Sequence, residues 1–147
     1  MSKTGTKSSR SDAGDSEAAD DELVEHAVRV RENAHSPYSK IRVGAALRSK
    51  DGRIFTGCNV ENASYGLTLC AERSAVVKAV SEGVREFTAI AITTNRENAL
   101  MPCGACRQVL FEFAPKLRVL VVGTSGKRRE ISLDQLLPEA FRPSDLG

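Results

Sequence analysis

The sequence predicts an α/β fold in which helices pack on a mixed five-stranded sheet, and three observations carry that expectation. Two short apolar runs flank Lys50-Asp51-Gly52, where Asp-Gly should supply the positive φ angles of a tight hairpin turn. Phe87 to Thr93 reads FTAIAIT, apolar and β-branched almost throughout, as a central strand covered on both faces requires. Around these segments the periodicity runs helix, hairpin, helix, strand, helix, strand, so helices and sheet are interleaved along the chain.

Residues 1–20 are rich in Ser, Gly and charge and have almost nothing to bury, so a disordered N-terminal tail is expected there. A single domain, 21–147, should follow. From Asp21, Leu23, Ala27, Val30 and Ala34 fall on one helical face, and Ser36-Pro37 ends the helix because the residue before proline avoids the α region. Val43–Leu47 and Arg53–Cys58 should pair antiparallel. A polar loop, Asn59 to Thr68, leads to a helix from about Cys70 to Glu82, with Val76, Val77 and Val80 as its buried stripe and Gly83 as its stop. After the FTAIAIT strand, Pro102 precedes a helix from Cys103 to Phe113, where its missing N–H costs little. A strand at Leu117–Val122 comes next. Gly123–Gly126 is too short for a parallel crossover, so a last strand at Lys127–Ile131 should run antiparallel to it. Ser132 and Gln135 read as a capping box for a short helix ending at Pro138.

A chain of 147 residues can bury one core without disulfide staples. Its net charge is +2, and outside residues 1–21 there are 18 basic and 14 acidic groups. That excess is too small for a polyanion partner, and no Trp is present for base stacking. The densest basic cluster, Lys127-Arg128-Arg129, reads as a solvated strand edge that discourages unwanted pairing. No apolar run approaches the roughly 18 residues of a membrane span, and the N-terminus has no apolar secretory stretch. A cytoplasmic protein with neither membrane nor nucleic-acid partner is expected. Two of the four cysteines form a C-x-x-C pair, which in a reducing compartment indicates metal or redox chemistry.

Cys103 and Cys106 open one expected helix and Cys70 opens another. Residues three apart share a helix face, so one metal can reach both members of the pair while Cys70 approaches from the neighbouring helix. Helix N-termini also stabilise thiolates. A thioredoxin-like reading fits poorly, because the pair comes late and is matched by Cys70-Ala71-Glu72 on another helix start. C-x-E followed by P-C-x-x-C is the three-cysteine form of the zinc nucleobase-deaminase signature, with zinc as the cofactor. Cys58 could in principle close a four-cysteine structural site. It ends a strand and has no partner at ligand spacing, so a small buried thiol is its expected role.

Glu72, two positions from Cys70, is placed to act as the catalytic acid and base beside such a metal. Three thiolates on a divalent zinc leave a net charge of about −1, which weakens it as a Lewis acid. Arg73 follows at once and could offset this by hydrogen-bonding a ligand sulfur. His26 and His35 lie at no motif position and read as helix-surface or helix-end residues.

With these residues in place, the chain resembles the small homotetrameric cytidine deaminases over nearly everything after the tail. The likeness rests on Ser36-Pro37-Tyr38-Ser39-Lys40, Val43-Gly44-Ala45-Ala46-Leu47, Gly57-Cys58-Asn59-Val60-Glu61-Asn62-Ala63, Cys70-Ala71-Glu72-Arg73, Pro102-Cys103-Gly104-Ala105-Cys106-Arg107-Gln108 and Leu136-Leu137-Pro138-Glu139-Ala140-Phe141. It implies the family's three-layer fold, one zinc per subunit, and hydrolysis of cytidine and deoxycytidine to uridine and deoxyuridine with release of ammonia, as in pyrimidine salvage. It also implies a homotetramer with shared active sites, in which residues matching Tyr65 and Phe141 serve a neighbour's substrate; taken alone, each aromatic reads as core packing. Asn59 and Glu61 would bind the ribose hydroxyls, and two residues apart in an extended segment they face one side. Ile41 departs from the pattern, since the family usually places phenylalanine there against the pyrimidine. A relative acting on a modified nucleoside, such as blasticidin S deaminase, is the rival enzyme reading, opposed by Asn59-Val60-Glu61-Asn62. A zinc-stabilised binding module without catalysis is the rival outside enzymes.

Overall fold

The computed structural model describes residues 16–147, so most of the expected tail lies outside the described residues. The elements are α1 (Glu17–Arg31), β1 (Val43–Ser49), β2 (Ile54–Cys58), α2 (Ala71–Ser81), β3 (Phe87–Thr94), α3 (Gly104–Phe113), β4 (Arg118–Val122), β5 (Arg128–Ser132) and α4 (Leu133–Leu136). The strands form one sheet in the order β2-β1-β3-β4-β5. β3 and β4 are parallel, joined by the α3 crossover, and the other neighbours are antiparallel, which makes the sheet mixed as expected.

Alternating side chains give the sheet two unlike faces. Ala46, Ala89, Ala91 and Leu120 meet Leu23 and Ala27 of α1 on one side. Leu47, Ile90, Ile92, Val119 and Val121 meet α2 and α3 on the other, together with Leu110, Phe111 and Leu133. The alanine-lined face admits a single helix at close range, whereas the larger aliphatic face supports the two helices that begin with cysteines. The result is the three-layer α/β arrangement.

Four local expectations are corrected. The first helix starts at Glu17, where the Ser16 hydroxyl accepts a hydrogen bond from the Ala19 N–H, so residues 16–20 belong to the folded domain. Asp20 is buried there against Arg48 and Arg118, a tertiary pairing that composition alone does not reveal. The β1–β2 turn has positive φ at Gly52 and not at Asp51, with the Gly52 N–H donating to the Ser49 carbonyl at 3.0 Å. The turn therefore needs the left-handed region at Gly52 alone. On α2 the buried stripe is Ala71, Ala75, Val76 and Ala79, while Val77 is 52% exposed. Small residues win because α2 lies almost on the β2 backbone: a Cβ at Gly57 would stand 2.5 Å from the Ala71 carbonyl oxygen and the Ala75 nitrogen. Ser132 does not form a capping box, since its hydroxyl donates to Asp134 Oδ1 at 2.6 Å, and the helix ends at Leu136.

Lys127-Arg128-Arg129 is exposed on and beside the edge strand β5, as expected, and Arg128 pairs with Asp21 at 2.8 Å. His26 lies on α1 near Glu22, and His35 follows that helix. Among the described residues no helix is long and apolar enough to cross a membrane.

Candidate active site

α2 lies close against the β2 backbone at Gly57, and α3 forms the crossover between the parallel strands β3 and β4. Cys70 is the N-cap of α2 and Cys103 the N-cap of α3, with Cys106 in the first turn behind it. The backbone N–H of Cys106 donates to the Cys103 sulfur at 3.5 Å, so this thiol also caps its helix. The Sγ atoms of Cys103 and Cys106 are 3.5 Å apart, and those of Cys70 and Cys103 are 3.9 Å apart. All three lie within 4.8 Å of one another. Cys58 is half-buried at the end of β2 and outside this group, so the four-cysteine site is not formed.

Two helix N-termini and a guanidinium surround these sulfurs. Arg73 Nη2 donates to Cys70 Sγ at 3.4 Å and approaches the Thr68 carbonyl at 3.5 Å, while its Nε is buried without a hydrogen-bond partner. Hydrogen bonding from Cys106, then Arg73, pulls the Cys70 thiol down to about 5, against the opposing effect of burial. Donating that bond, together with burial and the nearby Glu72 charge, pushes the Cys106 thiol far up. Arg73 therefore stands against the Cys70 sulfur as a cation that offsets thiolate charge. Three soft donors at one point, balanced by a neighbouring cation and reached from an exposed side at Cys103, fit one tetrahedral zinc with its fourth position left for a reactant.

Glu72 is 5% exposed in the first turn of α2. Burial pushes its carboxyl up to about 7, reinforced by the Cys70 charge. It lines a hollow of about 240 Å³ together with Cys70, Cys103, Ile41, Asn59, Met101 and further apolar side chains. A second hollow, about 370 Å³, is lined by Tyr38, Ser39, Glu61, Tyr65 and Thr68. Ser39 and Thr68 belong to both, so the two make one cleft with the cysteines and Glu72 at its inner end.

The remaining expected residues divide along that cleft. Ile41 stands on the inner wall. Asn59 is buried, and its amide is engaged by the chain: Nδ2 donates to the Ile41 carbonyl and Oδ1 accepts from the Val43 N–H, each at 2.8 Å. Glu61 lies in the outer hollow and not beside Asn59, with Oε1 accepting from the N–H groups of Tyr38 and Ser39 at 3.0 and 3.2 Å. The Ser39 hydroxyl donates to Oε2 and is the largest influence holding this carboxylate below its ordinary range. Tyr65 is 72% exposed at the cleft mouth, edge-on to Tyr38. Phe141 is 58% exposed and does not line the cleft, although Gln108 holds its carbonyl at 2.9 Å. Neither aromatic is core packing.

Two contributors were not singled out from the sequence. Ser39 connects the two hollows, and only its place in Tyr38-Ser39-Lys40 hinted at a role. Arg107 donates to the carbonyls of Pro102 and Leu136 at 2.7 and 2.9 Å, tying the cysteine loop to α4; its position directly after Cys106 was the available signal.

Comparison with known proteins agrees with this geometry. Residues 17–123 match the model of the cytidine and deoxycytidylate deaminase zinc-binding region. The chain is 48% identical over 126 residues to a cytidine deaminase of Halalkalibacterium halodurans, covering 85% of this chain and 96% of that one. It is 46% identical over 121 residues to the cytidine deaminase of Mycobacterium tuberculosis, covering 82% and 88% of the two chains. The crystal structure of a cytidine deaminase from Burkholderia pseudomallei superposes with a TM-score of 0.80 at 48% identity, over 86% of this chain and 99% of that one. With its sheet, its helix-borne cysteine trio and these relatives in agreement, the chain belongs to the zinc-dependent cytidine and deoxycytidylate deaminase family.

Proposed function

We propose that the protein hydrolyses the C4 amino group of cytidine and deoxycytidine, giving uridine and deoxyuridine and releasing ammonia. The observation that carries this reading is the burial of the Glu72 carboxyl in the same small hollow as Cys70 and Cys103. Cys70, Cys103 and Cys106 would hold the zinc, which when bound supplies a Lewis acid that makes water nucleophilic at neutral pH. Glu72 takes a proton from the attacking water and delivers it to ring N3, leaving C4 electrophilic. After attack at C4, Glu72 takes the proton of the newly added hydroxyl and passes it to the amino group, so the C4–N bond breaks, ammonia departs and the C4 carbonyl forms. Arg73 keeps negative charge on Cys70 from accumulating at the reacting centre. Ile41, held in place by Asn59, forms the wall against the pyrimidine, and the apolar lining excludes bulk water.

The sugar would lie outward, toward Glu61. That orientation is supported by the cleft's shape, since the cysteine end is narrow and apolar and the Glu61 end is wider. Asn59 contributes by shaping the wall and through its second amide proton. The exposed aromatics Tyr65 and Phe141 suit a homotetramer in which each completes a neighbour's site. Such an enzyme would serve pyrimidine salvage in the cytoplasm, where thiol ligands remain reduced.

An ultraviolet assay over cytidine, deoxycytidine, cytosine and blasticidin S, with zinc quantified in the same sample, tests this reading. Loss of absorbance with cytidine and deoxycytidine and one zinc per chain is expected. Turnover of blasticidin S alone would give the rival enzyme reading, and one zinc without turnover would give the binding module.

A further inference from the structure

Ser39 makes two hydrogen bonds that no turn requires together. Its Oγ accepts from the Ile41 N–H at 3.0 Å, and the same hydroxyl donates to Glu61 Oε2. A serine hydroxyl has one proton, so once the Ile41 N–H is accepted, the single donated bond goes to the carboxylate. The Ile41 peptide is then clamped from both ends, because its carbonyl accepts from Asn59 Nδ2 at 2.8 Å. A continuous chain of bonds runs from Glu61 through Ser39 to Ile41, Asn59 and Val43, joining the outer hollow to the inner one.

The backbone accommodates this route at a cost. Lys40, between the two bonded residues, has φ of 64°, a left-handed conformation uncommon for a residue with a side chain. Its carbonyl is held by Asn95 Nδ2 at 3.1 Å, and Asn95 Oδ1 accepts from the Arg42 N–H at 3.0 Å. The turn is therefore fixed from outside the cleft as well, in the shape that sends the Ser39 hydroxyl to Glu61 and the Ile41 side chain to the wall.

Glu61 accepts three hydrogen bonds from residues 38 and 39. A carboxylate offers about four acceptor positions, so about one remains for a sugar hydroxyl, and Ser39 sets which one. We propose that Ser39 is the positioning residue that links sugar binding at Glu61 to the pyrimidine wall at Ile41. This rests on the reading of Glu61 as the sugar-binding carboxylate. Sugar engagement and base placement are then one event, and the outer hollow reports on the inner one without Ser39 touching the reacting atoms.

Steady-state kinetics on cytidine with S39A, S39T, E61Q and the S39A/E61Q double variant test this, with thermal melting of each. Removing a hydrogen bond to a charged group should raise KM about tenfold in S39A while kcat stays within about threefold. S39T keeps the hydroxyl at an exposed position and should restore KM. In the E61Q background, adding S39A should raise KM by clearly less than it does alone, because the Ser39 hydroxyl no longer meets a charged group. Unchanged KM in S39A with a raised KM in E61Q overturns the link and leaves the sugar role of Glu61 standing. Unchanged kinetics in E61Q overturn the sugar reading itself. Loss of kcat and KM alike in S39A, unrescued by S39T, makes Ser39 a structural turn residue and overturns the proposal.

Discussion

Asp20→Ala should destabilise the fold strongly while leaving the chemistry intact. The carboxylate receives Arg118 Nη2 at 2.7 Å on Oδ2 and Arg48 Nη2 at 3.2 Å on Oδ1, on the α1 face of the sheet. Arg118 retains Glu130 at 2.8 Å after the substitution, so the larger loss falls on Arg48. Arg48 is 5% exposed, its Nε already lacks a partner, and it would keep a buried charge. Breaking a buried pair by removing one partner costs about 3–5 kcal/mol. For a domain of this size that lowers Tm by roughly 10–20 °C. Circular-dichroism melting of the zinc-loaded protein measures it, and kcat at 25 °C should stay near wild type because the cysteines lie on the opposite face. A companion variant, Asp20→Ala with Arg48→Met, should recover much of the loss. A loss below about 1 kcal/mol in Asp20→Ala would refute the reasoning. The pH dependence follows the same contact: burial alone would raise the Asp20 carboxyl, but the hydrogen bonds and charges of Arg118 and Arg48 hold it below its ordinary 3.8. Its contribution is therefore complete above that value and fades as pH falls through the lower, folded-state value, a slope that Asp20→Ala should remove.

Three further variants bear on the site. Arg73→Gln removes the cation 3.4 Å from Cys70 Sγ and should lower kcat/KM for cytidine roughly 10- to 100-fold with zinc retained; unchanged kinetics would dismiss the charge-balancing role. Gly57→Ala places a methyl 2.5 Å from the Ala71 carbonyl oxygen, so α2 must shift; a destabilisation of about 1–3 kcal/mol and reduced zinc occupancy are expected by melting and metal analysis. Ile41→Phe puts a ring on the inner wall and should improve kcat/KM for cytidine roughly two- to tenfold, whereas a marked fall would indicate a pocket shaped for another base.

The layers and the cysteine trio were readable from the sequence because each follows from local pattern. Apolar β-branched runs mark buried strands, and cysteines at helix starts bring their sulfurs together once those helices pack side by side. What escaped depends on contacts between distant segments. Asp20 sits in a stretch that reads as tail, and only Arg48 and Arg118 make it part of the core. The choice of Ala75 and Ala79 over Val77 for the buried stripe of α2 reflects how closely Gly57 lets the helix approach, which helical periodicity does not encode. Asn59 and Glu61 were expected to face one side toward a sugar, whereas the structure places Asn59 on the inner hollow and Glu61 on the outer one. Their separation, and the inward engagement of Asn59 with Ile41 and Val43, appear only when the loop at residues 36–42 is folded over them. Tyr65 and Phe141, which hydrophobicity alone would place in the core, lie on the surface.

Glu72→Gln, assayed with cytidine alongside zinc quantification, tests the account most directly. The amide preserves size beside the cysteines and cannot carry the proton from water to the ring. Zinc should remain at one per chain, melting should be close to wild type, and kcat should fall by about 10²–10⁴. Turnover within a few-fold of wild type at full zinc occupancy would contradict the assignment of Glu72 as the proton carrier.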